Sequence, residues 1–317
     1  MDDNVTRREF IAALAAGAFA RSRALAEDCT ELSCKMKVRR YSVPVGASAT
    51  FTVLHISDTH ISFADIIDGV PHPRNAAGRA RCFPHANDAL KASLAYAREH
   101  DEMVVHTGDL IDYVNEKNLA AARMWTSASR GGIIAAGNHE YCQMVGDGKT
   151  EDESYKAETR YRVQAAYPDN LLFSSRVVNG INFISLDNVY YYVPAGVPEM
   201  FEAEAARGLP IVVCCHVPFY TPEIYKAVTQ GDMTRPPYLC GVPDAMVDRV
   251  KDPKRRKQQR ADARTHEFVA RLRGEKLVKA VLCGHLHWPH VSDFAPGVPQ
   301  YCVGANFHYE AFELEFC

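Results

Sequence analysis

Five short clusters along the chain contain oxygen and imidazole side chains of the kind that bind metal ions. They are Asp58-Thr59-His60, Gly108-Asp109-Leu110-Ile111-Asp112, Gly137-Asn138-His139-Glu140, His216-Val217-Pro218 and Gly284-His285-Leu286-His287. Donors of these types without a thiolate suit Mn, Fe, Zn or Co and not copper(I). Seven candidate ligands exceed the needs of one ion, whereas two ions that share a bridging carboxylate use them all. These ligands are Asp58, His60, Asp109, Asn138, His216, His285 and His287.

Two of the clusters place their donors two positions apart. In an extended chain, alternate side chains point to the same side. We therefore expect Asp58 and His60 to face one site together, and likewise His285 and His287. Taken alone, such an aspartate is more often a turn former, and His216 more often a satisfied core histidine.

Each cluster directly follows a short apolar run, which predicts a buried strand. The predicted strands are Phe51–Ser57, Met103–Thr107, Ile133–Ala136, Leu209–Cys215 and Leu277–Cys283. In open α/β sheets, residues at the carboxyl ends of strands meet in one crevice. The order of the strands therefore predicts that the five clusters converge.

Helical patterns separate these strands, which indicates an α/β domain. The predicted helices are Ala86–His100, Asn118–Ser129, Tyr155–Tyr167 and Ala261–Arg273. Asn179-Gly180 between two apolar runs predicts a two-residue hairpin, so we expect mixed sheets. Residues 300–316 are expected to form closing strands. Neither a repeat nor a low-complexity linker divides residues 27–317, which we predict to be a single domain.

Two long segments, Ser62–Pro84 and Phe219–Arg260, lack a clear helix or strand pattern. Both follow a polar cluster, and long irregular segments in compact domains are often functional loops. We expect them to form walls of a pocket. The basic run at residues 251–257 favours a solvated helix face over a nucleic-acid surface.

Residues 1–26 have the composition of an export signal. Arg7-Arg8 precedes the apolar stretch Phe10–Ala20, and Ala24-Leu25-Ala26 provides a cleavage site. The paired arginines indicate the twin-arginine type, with the twin-arginine export machinery as partner. The alternative is an amphipathic N-terminal helix. We expect a periplasmic or extracellular protein without a stable membrane anchor, since no stretch approaches the ~20 apolar residues of a spanning helix.

In this order, the motifs D-x-H, G-D-x-x-D, G-N-H-E, H-x-P and G-H-x-H resemble those of the calcineurin-like metallophosphoesterase superfamily. The resemblance implies an αββα sandwich of two mixed sheets flanked by helices. It also implies that Asp58, His60 and His287 hold one metal ion, that Asn138, His216 and His285 hold the other, and that Asp109 bridges them. His139 would contact the phosphate or protonate the leaving oxygen, and Asp112 would orient His139.

The chemistry implied by this resemblance is hydrolysis of a phosphoester. Two divalent or trivalent ions clamp the phosphate oxygens, and a metal-activated water attacks in line. The developing charge falls on the metals and on Asn138 and His139, which are therefore also substrate-binding candidates. A protein that folds before export would acquire its metals in the cytoplasm, which favours Mn or Fe.

Departures from the motifs of individual branches of the superfamily indicate which branch the chain resembles. Tyr113-Val114 and Ala135-Ala136 occupy positions where protein Ser/Thr phosphatases have Arg-Gly and Arg. Asp112 stands where purple acid phosphatases have Tyr, and they lack a ligand of the His60 type. The chain is more similar to bacterial phosphodiesterase-like members, although these commonly have Asp at the position of Glu140.

We therefore expect a small phosphodiester as substrate. An exported phosphomonoesterase of broad specificity and a non-catalytic metallophosphoesterase-like binding module are the alternatives. A nuclease would need a basic groove, and a formal net charge of −3 gives no reason to expect nucleic acid as partner. Tyr190-Tyr191-Tyr192 is expected either to stack a base or pack a lipid, or to cover a sheet edge.

Overall fold

The computed structural model describes residues 32–67, 70–72, 76–129, 131–143 and 153–317. Strands and helices alternate in the middle of this part of the chain, and runs of strands lie at both ends. The strands are β1 (Lys37–Val43), β2 (Phe51–Ile56), β3 (Asp65–Ile67), β4 (Val70–His72), β5 (Met103–His106), β6 (Ile133–Ile134), β7 (Phe173–Val178), β8 (Ile181–Leu186), β9 (Ile211–Cys214), β10 (Val278–Cys283), β11 (His290–Ala295), β12 (Val298–Cys302) and β13 (Glu310–Phe316). The predicted export signal at residues 1–26 lies outside the described residues.

Helices lie between several of the strands. They are α1 (Ala76–Cys82), α2 (Ala86–Glu99), α3 (Glu116–Ala128), α4 (Glu153–Gln164), α5 (Val197–Ala205), α6 (Pro222–Thr229), α7 (Asp244–Val247), α8 (Pro253–Gln258) and α9 (Ala263–Gly274). Three 3₁₀ turns lie at His139–Tyr141, Val189–Tyr191 and Asn306–His308. Among the described residues, no helix is both long and apolar enough to cross a membrane.

Two mixed sheets contain most of the strands. The first has the order β1-β13-β2-β5-β6, and the second has the order β11-β12-β10-β9-β8-β7. The strands that precede the polar clusters run parallel within each sheet, β2 beside β5 and β5 beside β6 in the first, and β10 beside β9 in the second. The carboxyl ends of parallel neighbours lie at one edge of a sheet, which is where the clusters begin.

Alternate residues of the central strands explain how the sheets stack. Val53 packs between the two sheets, whereas Leu54 faces the helices α2 and α3. In the second sheet Val212 faces inward, and Val213 packs against Phe268 of α9. Because both faces of these strands are buried, their sequences are continuous apolar runs without alternating polar residues. The result is the predicted αββα sandwich of two mixed sheets flanked by helices.

The structure confirms the predicted strands and helices, with ends that shift by up to three residues. The hairpin is also confirmed, because β7 and β8 pair antiparallel around Asn179 and Gly180, both with positive φ (46° and 82°). Helix α3 begins earlier than predicted, since the Asn115 side chain accepts a hydrogen bond from the Asn118 backbone N–H and caps the helix.

The two long segments have more regular structure than the sequence predicts. Ser62–Pro84 contains the small β3-β4 hairpin and helix α1, and Phe219–Arg260 contains α6, α7 and α8. The expectation of irregular loops was therefore wrong for much of both segments, because their helices are too short to show a clear periodicity. The basic run lies largely on α8, which has no buried residue, as expected for a solvated helix face.

Candidate metal centre

The five clusters meet where the parallel strands of both sheets end. The backbone N–H of His285, in the second sheet, donates to Asp58 Oδ2 in the first sheet at 2.9 Å. The backbone N–H of His139 donates to Asp109 Oδ1 at 2.8 Å. The predicted convergence of the clusters is thus present in the described residues.

The backbone reason that we gave for the paired donors is wrong. Asp58, His60, His285 and His287 all have positive φ, between 55° and 71°, and so does Asp109 at 56°. These residues lie in left-handed turns after the strands, not in extended chain. A left-handed conformation is unfavourable for residues other than glycine, and residues that adopt one cluster at functional sites.

Two glycines of the motifs allow close backbone packing at this site. A Cβ on Gly137 would collide with the side chain and backbone nitrogen of Asp109. A Cβ on Gly284 would collide with Ser57 and with the carboxylate of Asp58. The glycines therefore permit the two predicted carboxylate ligands to occupy their observed positions.

One half of the centre consists of Asp58, His60, Asp109 and His287, whose potential ligand atoms lie within 4.8 Å of one another. His60 Nε2 is 3.8 Å from Asp58 Oδ1, 3.6 Å from Asp109 Oδ2 and 3.1 Å from His287 Nε2. His287 Nε2 is 3.3 Å from Asp58 Oδ1. Apart from the half-buried His287, these residues are buried.

The other half brings together His216, His285 and the same Asp109. His216 Nε2 is 3.2 Å from Asp109 Oδ2 and 3.2 Å from His285 Nδ1. Asp109 Oδ2 therefore lies between His60 of the first half and His216 of the second. This is the position that a carboxylate bridging two ions would occupy.

The donor atoms fit a pair of metal ions. Asn138 Oδ1 is buried and has no hydrogen-bond partner, and the buried Asp58 Oδ1 meets only imidazole nitrogens at 3.3 Å or more, although buried polar atoms in proteins are normally paired. Cations at the two halves would satisfy both oxygens. The donor set of carboxylate, amide and imidazole suits Mn, Fe, Zn or Co.

Charge at the centre favours binding of cations. Burial alone would raise the pKa of Asp58, but the neighbouring His287 and His216 outweigh burial and hold this pKa below its usual range. For His216 the balance is similar, since burial lowers the pKa of the imidazole while Asp109 and Asp58 raise it, to about 9. Without metal, the carboxylates thus attract protons to the site.

Asp112 and His139 form a pair beside the ligands. His139 Nδ1 lies 3.0 Å from Asp112 Oδ1 and 2.7 Å from the Asp112 carbonyl oxygen. Burial disfavours the charged form of His139, yet the carboxylates of Asp109 and Asp112 outweigh burial and raise its pKa well above the usual range. A histidine of this kind holds a proton that it can donate.

Three further side chains support the site. Glu140 is buried and accepts hydrogen bonds from the backbone N–H groups of Asp109, Leu110, Ile111 and Gly137, and from the hydroxyl of Tyr167. It thereby fixes the turn that carries the predicted bridging ligand. The sequence alone did not reveal these partners of Glu140.

Tyr191 and Arg79 are the supports that sequence reasoning missed. The Tyr191 hydroxyl is 3.2 Å from His285 Nε2. Tyr190 is also buried, with its hydroxyl donating to the Tyr141 carbonyl, so neither of these two rings is exposed for stacking on a base. Arg79 of α1 donates to both oxygens of Asp112. No local sequence motif predicts either contact, because the two partners of each contact are far apart in the sequence.

The match to a protein family agrees with the fold. Residues 51–289 match the calcineurin-like phosphoesterase family, whereas no curated protein sequence matches the chain. A dimetal phosphatase from Danio rerio is 15% identical, with a TM-score of 0.36 and coverage of 81% of this chain and 88% of that one. A 5'-nucleotidase from Candida albicans is 11% identical (TM-score 0.39, 86% of this chain and 47% of that one).

An NAD nucleotidase from Haemophilus influenzae is also similar, at 12% identity and a TM-score of 0.36. The alignment covers 81% of this chain and 45% of that one. The chain thus spans about half the length of each of these two nucleotidases.

Proposed function

Because the chain belongs to the calcineurin-like phosphoesterase family, we propose that it is a dinuclear-metal phosphoester hydrolase that acts on a phosphodiester outside the cytoplasm. The observation that carries the proposal is the position of Asp109 Oδ2, 3.6 Å from His60 Nε2 and 3.2 Å from His216 Nε2. One carboxylate is thereby shared by two sets of metal-binding side chains.

The proposed ligand sets are those predicted from the sequence. Asp58, His60 and His287 would hold one ion, Asn138, His216 and His285 the other, and Asp109 both. When bound, the ions neutralise the phosphate oxygens and lower the pKa of water at the site. We propose Mn or Fe, and metal analysis of natively exported protein that finds only zinc would refute this choice.

The chain's own residues would handle the leaving group. His139 Nδ1 is engaged by Asp112, which leaves Nε2 as the ring nitrogen that meets the ester. A proton held there passes to the leaving oxygen as the ester bond breaks. The Asn138 amide would bind a phosphate oxygen and stabilise the charge that develops on it.

Hydrolysis assays with residues 27–317 test the proposal. We expect cleavage of a chromogenic phosphodiester in Mn²⁺ to exceed cleavage of the corresponding monoester, and Asp109→Asn and His139→Ala to abolish it. Asp293→Asn on β11 and His266→Ala on α9 are matched controls outside the centre and should keep full activity. Preference for the monoester would instead support a phosphatase of broad specificity. Metal binding without cleavage of either ester would support a binding module.

Export is tested separately. Changing Arg7 and Arg8 to lysine preserves charge but removes the arginine pair of the proposed signal. We expect the variant to stay in the cytoplasm with its full length, whereas the natural chain is cleaved and exported. Equal export of both chains would contradict the twin-arginine route.

A further inference from the structure

Arg79 contacts the Asp112–His139 pair, although it belongs to none of the metal-binding motifs. Its Nε donates to Asp112 Oδ2 at 2.8 Å and its Nη2 donates to Asp112 Oδ1 at 2.6 Å. The Asp112 side chain is fully buried, and that of Arg79 is 17% exposed. A bidentate arginine–carboxylate contact fixes the orientation of the carboxylate and also balances its charge.

One oxygen of Asp112 has three partners. Oδ1 lies 2.6 Å from Arg79 Nη2, 3.0 Å from His139 Nδ1 and 3.3 Å from His60 Nδ1. The orientation of this carboxylate therefore affects both imidazole contacts. The guanidinium group, bound to both oxygens, holds the carboxylate at the orientation that serves both rings.

Aromatic contacts hold this arginine in turn. The Arg79 guanidinium carbon lies 4.9 Å from the centre of the Phe83 ring. Phe83 stacks on His60, with ring centres 4.3 Å apart and planes at 11°. Helix α1 and Phe83 lie in the segment Ser62–Pro84, so part of this segment packs directly against the centre.

We propose that Arg79 is a positioning residue that acts through Asp112 on His139 and, more weakly, on His60. The inference rests on the proposed phosphoesterase function. Without the guanidinium group, the buried Asp112 charge would be balanced by the imidazoles alone. His139 would then be less well oriented toward the leaving oxygen, so protonation of that oxygen would slow.

The choice of leaving group tests this role. A poor leaving group such as methoxide needs a proton as its bond breaks, whereas dinitrophenolate needs almost none. In Mn²⁺-loaded protein, we expect Arg79→Met to lower kcat for a methyl ester about tenfold more than for the dinitrophenyl ester of the same phosphate class. The loss for Arg79→Lys should lie between those of the natural chain and of Arg79→Met, because an ammonium group keeps the charge but not the bidentate contact.

Two comparisons make the test specific. In an Asp112→Asn background, Arg79→Met should cause no further loss, because its effect passes through the carboxylate. Arg81→Met removes an exposed arginine from the same helix and should leave activity and thermal stability unchanged. Equal losses on both esters, or an undiminished loss in the Asp112→Asn background, would overturn the proposal and place Arg79 on the substrate itself.

Metal binding provides a readout that does not depend on turnover. Because Asp112 also contacts His60, we expect Arg79→Met to weaken Mn²⁺ binding to metal-free protein several-fold, and only when Asp112 is present. If the natural chain cleaved neither ester, the proposed function would fail, and this titration alone would decide the role of Arg79. The same weakening by Arg79→Met in the Asp112→Asn background would contradict the proposed role of Arg79.

Discussion

The two halves of the centre anchor their histidines in different ways. In the first half, His60 Nδ1 faces the carboxylate of Asp112 at 3.3 Å, and its ring stacks on Phe83. In the second half, His216 Nδ1 is 2.7 Å from the Thr107 carbonyl oxygen, and His285 Nε2 meets the hydroxyl of Tyr191. One half thus uses a charged support and the other uses neutral supports.

This difference indicates that one half serves proton transfer as well as metal binding, whereas the other serves metal binding. A carboxylate behind an imidazole makes the ligand more basic and fixes its ring. Because Asp112 also contacts His139, the first half is joined to the residue proposed to donate the proton. In the second half, His216 and His285 are held by a carbonyl oxygen and a hydroxyl, so we expect these supports to affect metal binding without affecting proton transfer.

The largest effect should follow loss of the residue that both halves share. Asp109→Asn removes the negative charge between His60 and His216, and we expect kcat to fall roughly a thousandfold. Metal analysis should show that the content drops from two ions per chain to one or fewer. A variant that still held two ions and turned over normally would exclude a bridging role.

The supports of the two halves should differ in strength. We expect Asp112→Asn to reduce activity and Mn²⁺ affinity by about 10–100-fold, since it supports His60 and His139 together. Tyr191→Phe removes one neutral hydrogen bond from His285 and should weaken Mn²⁺ binding by only a few fold. Equal losses for the two variants would contradict the distinction between charged and neutral supports.

Close packing beneath the shared ligand should matter for both halves. An added methyl group in Gly137→Ala would press on Asp109, and we expect a loss of about 2 kcal/mol of unfolding free energy together with weaker Mn²⁺ binding. Gly274→Ala at the end of α9 meets no atom within 4 Å and is the matched control. Denaturant unfolding of the two metal-free variants would measure the change in stability, and Mn²⁺ titration would measure the change in binding.

The smallest effect on the metal centre itself should come from a titrating residue outside it. Burial and the nearby Glu313 raise the pKa of Glu102 from 4.5 to about 7. The folded state then binds this proton more tightly than the unfolded state, so stability should fall as pH rises from about 4.5 to about 7. Solvent screening limits the change to about 1–2 kcal/mol.

Replacement of Glu102 isolates this contribution. Glu102→Gln should flatten the pH dependence of the unfolding free energy over that window while leaving Mn²⁺ affinity unchanged. An unaltered pH profile would show that Glu102 does not titrate there.

The sequence allowed much of this arrangement to be predicted, because its strongest signals are local. An apolar run followed by Asp58 or His285 marks a strand end, and parallel strands bring such ends together. The left-handed conformations of Asp58 and His287 were not foreseen, since only tertiary packing holds non-glycine residues there.

Contacts between segments that are distant in the sequence could not be predicted, for a physical reason. Arg79 lies 33 positions from Asp112, and Tyr191 lies 94 positions from His285. No spacing rule joins such residues until the fold has placed them side by side. Tyr190 and Tyr191 show the same limit, because their burial depends on neighbours such as Tyr141 that the local sequence does not reveal.

Electron paramagnetic resonance of the Mn²⁺-loaded protein tests the shared-carboxylate centre most directly. Two ions held by His60 and His216 on either side of Asp109 would be about 3.5–4 Å apart, and their spins would couple. We predict a coupled signal at two ions per chain, which Asp109→Asn eliminates. A spectrum of isolated Mn²⁺ at full loading, unchanged by that substitution, would contradict the dinuclear centre.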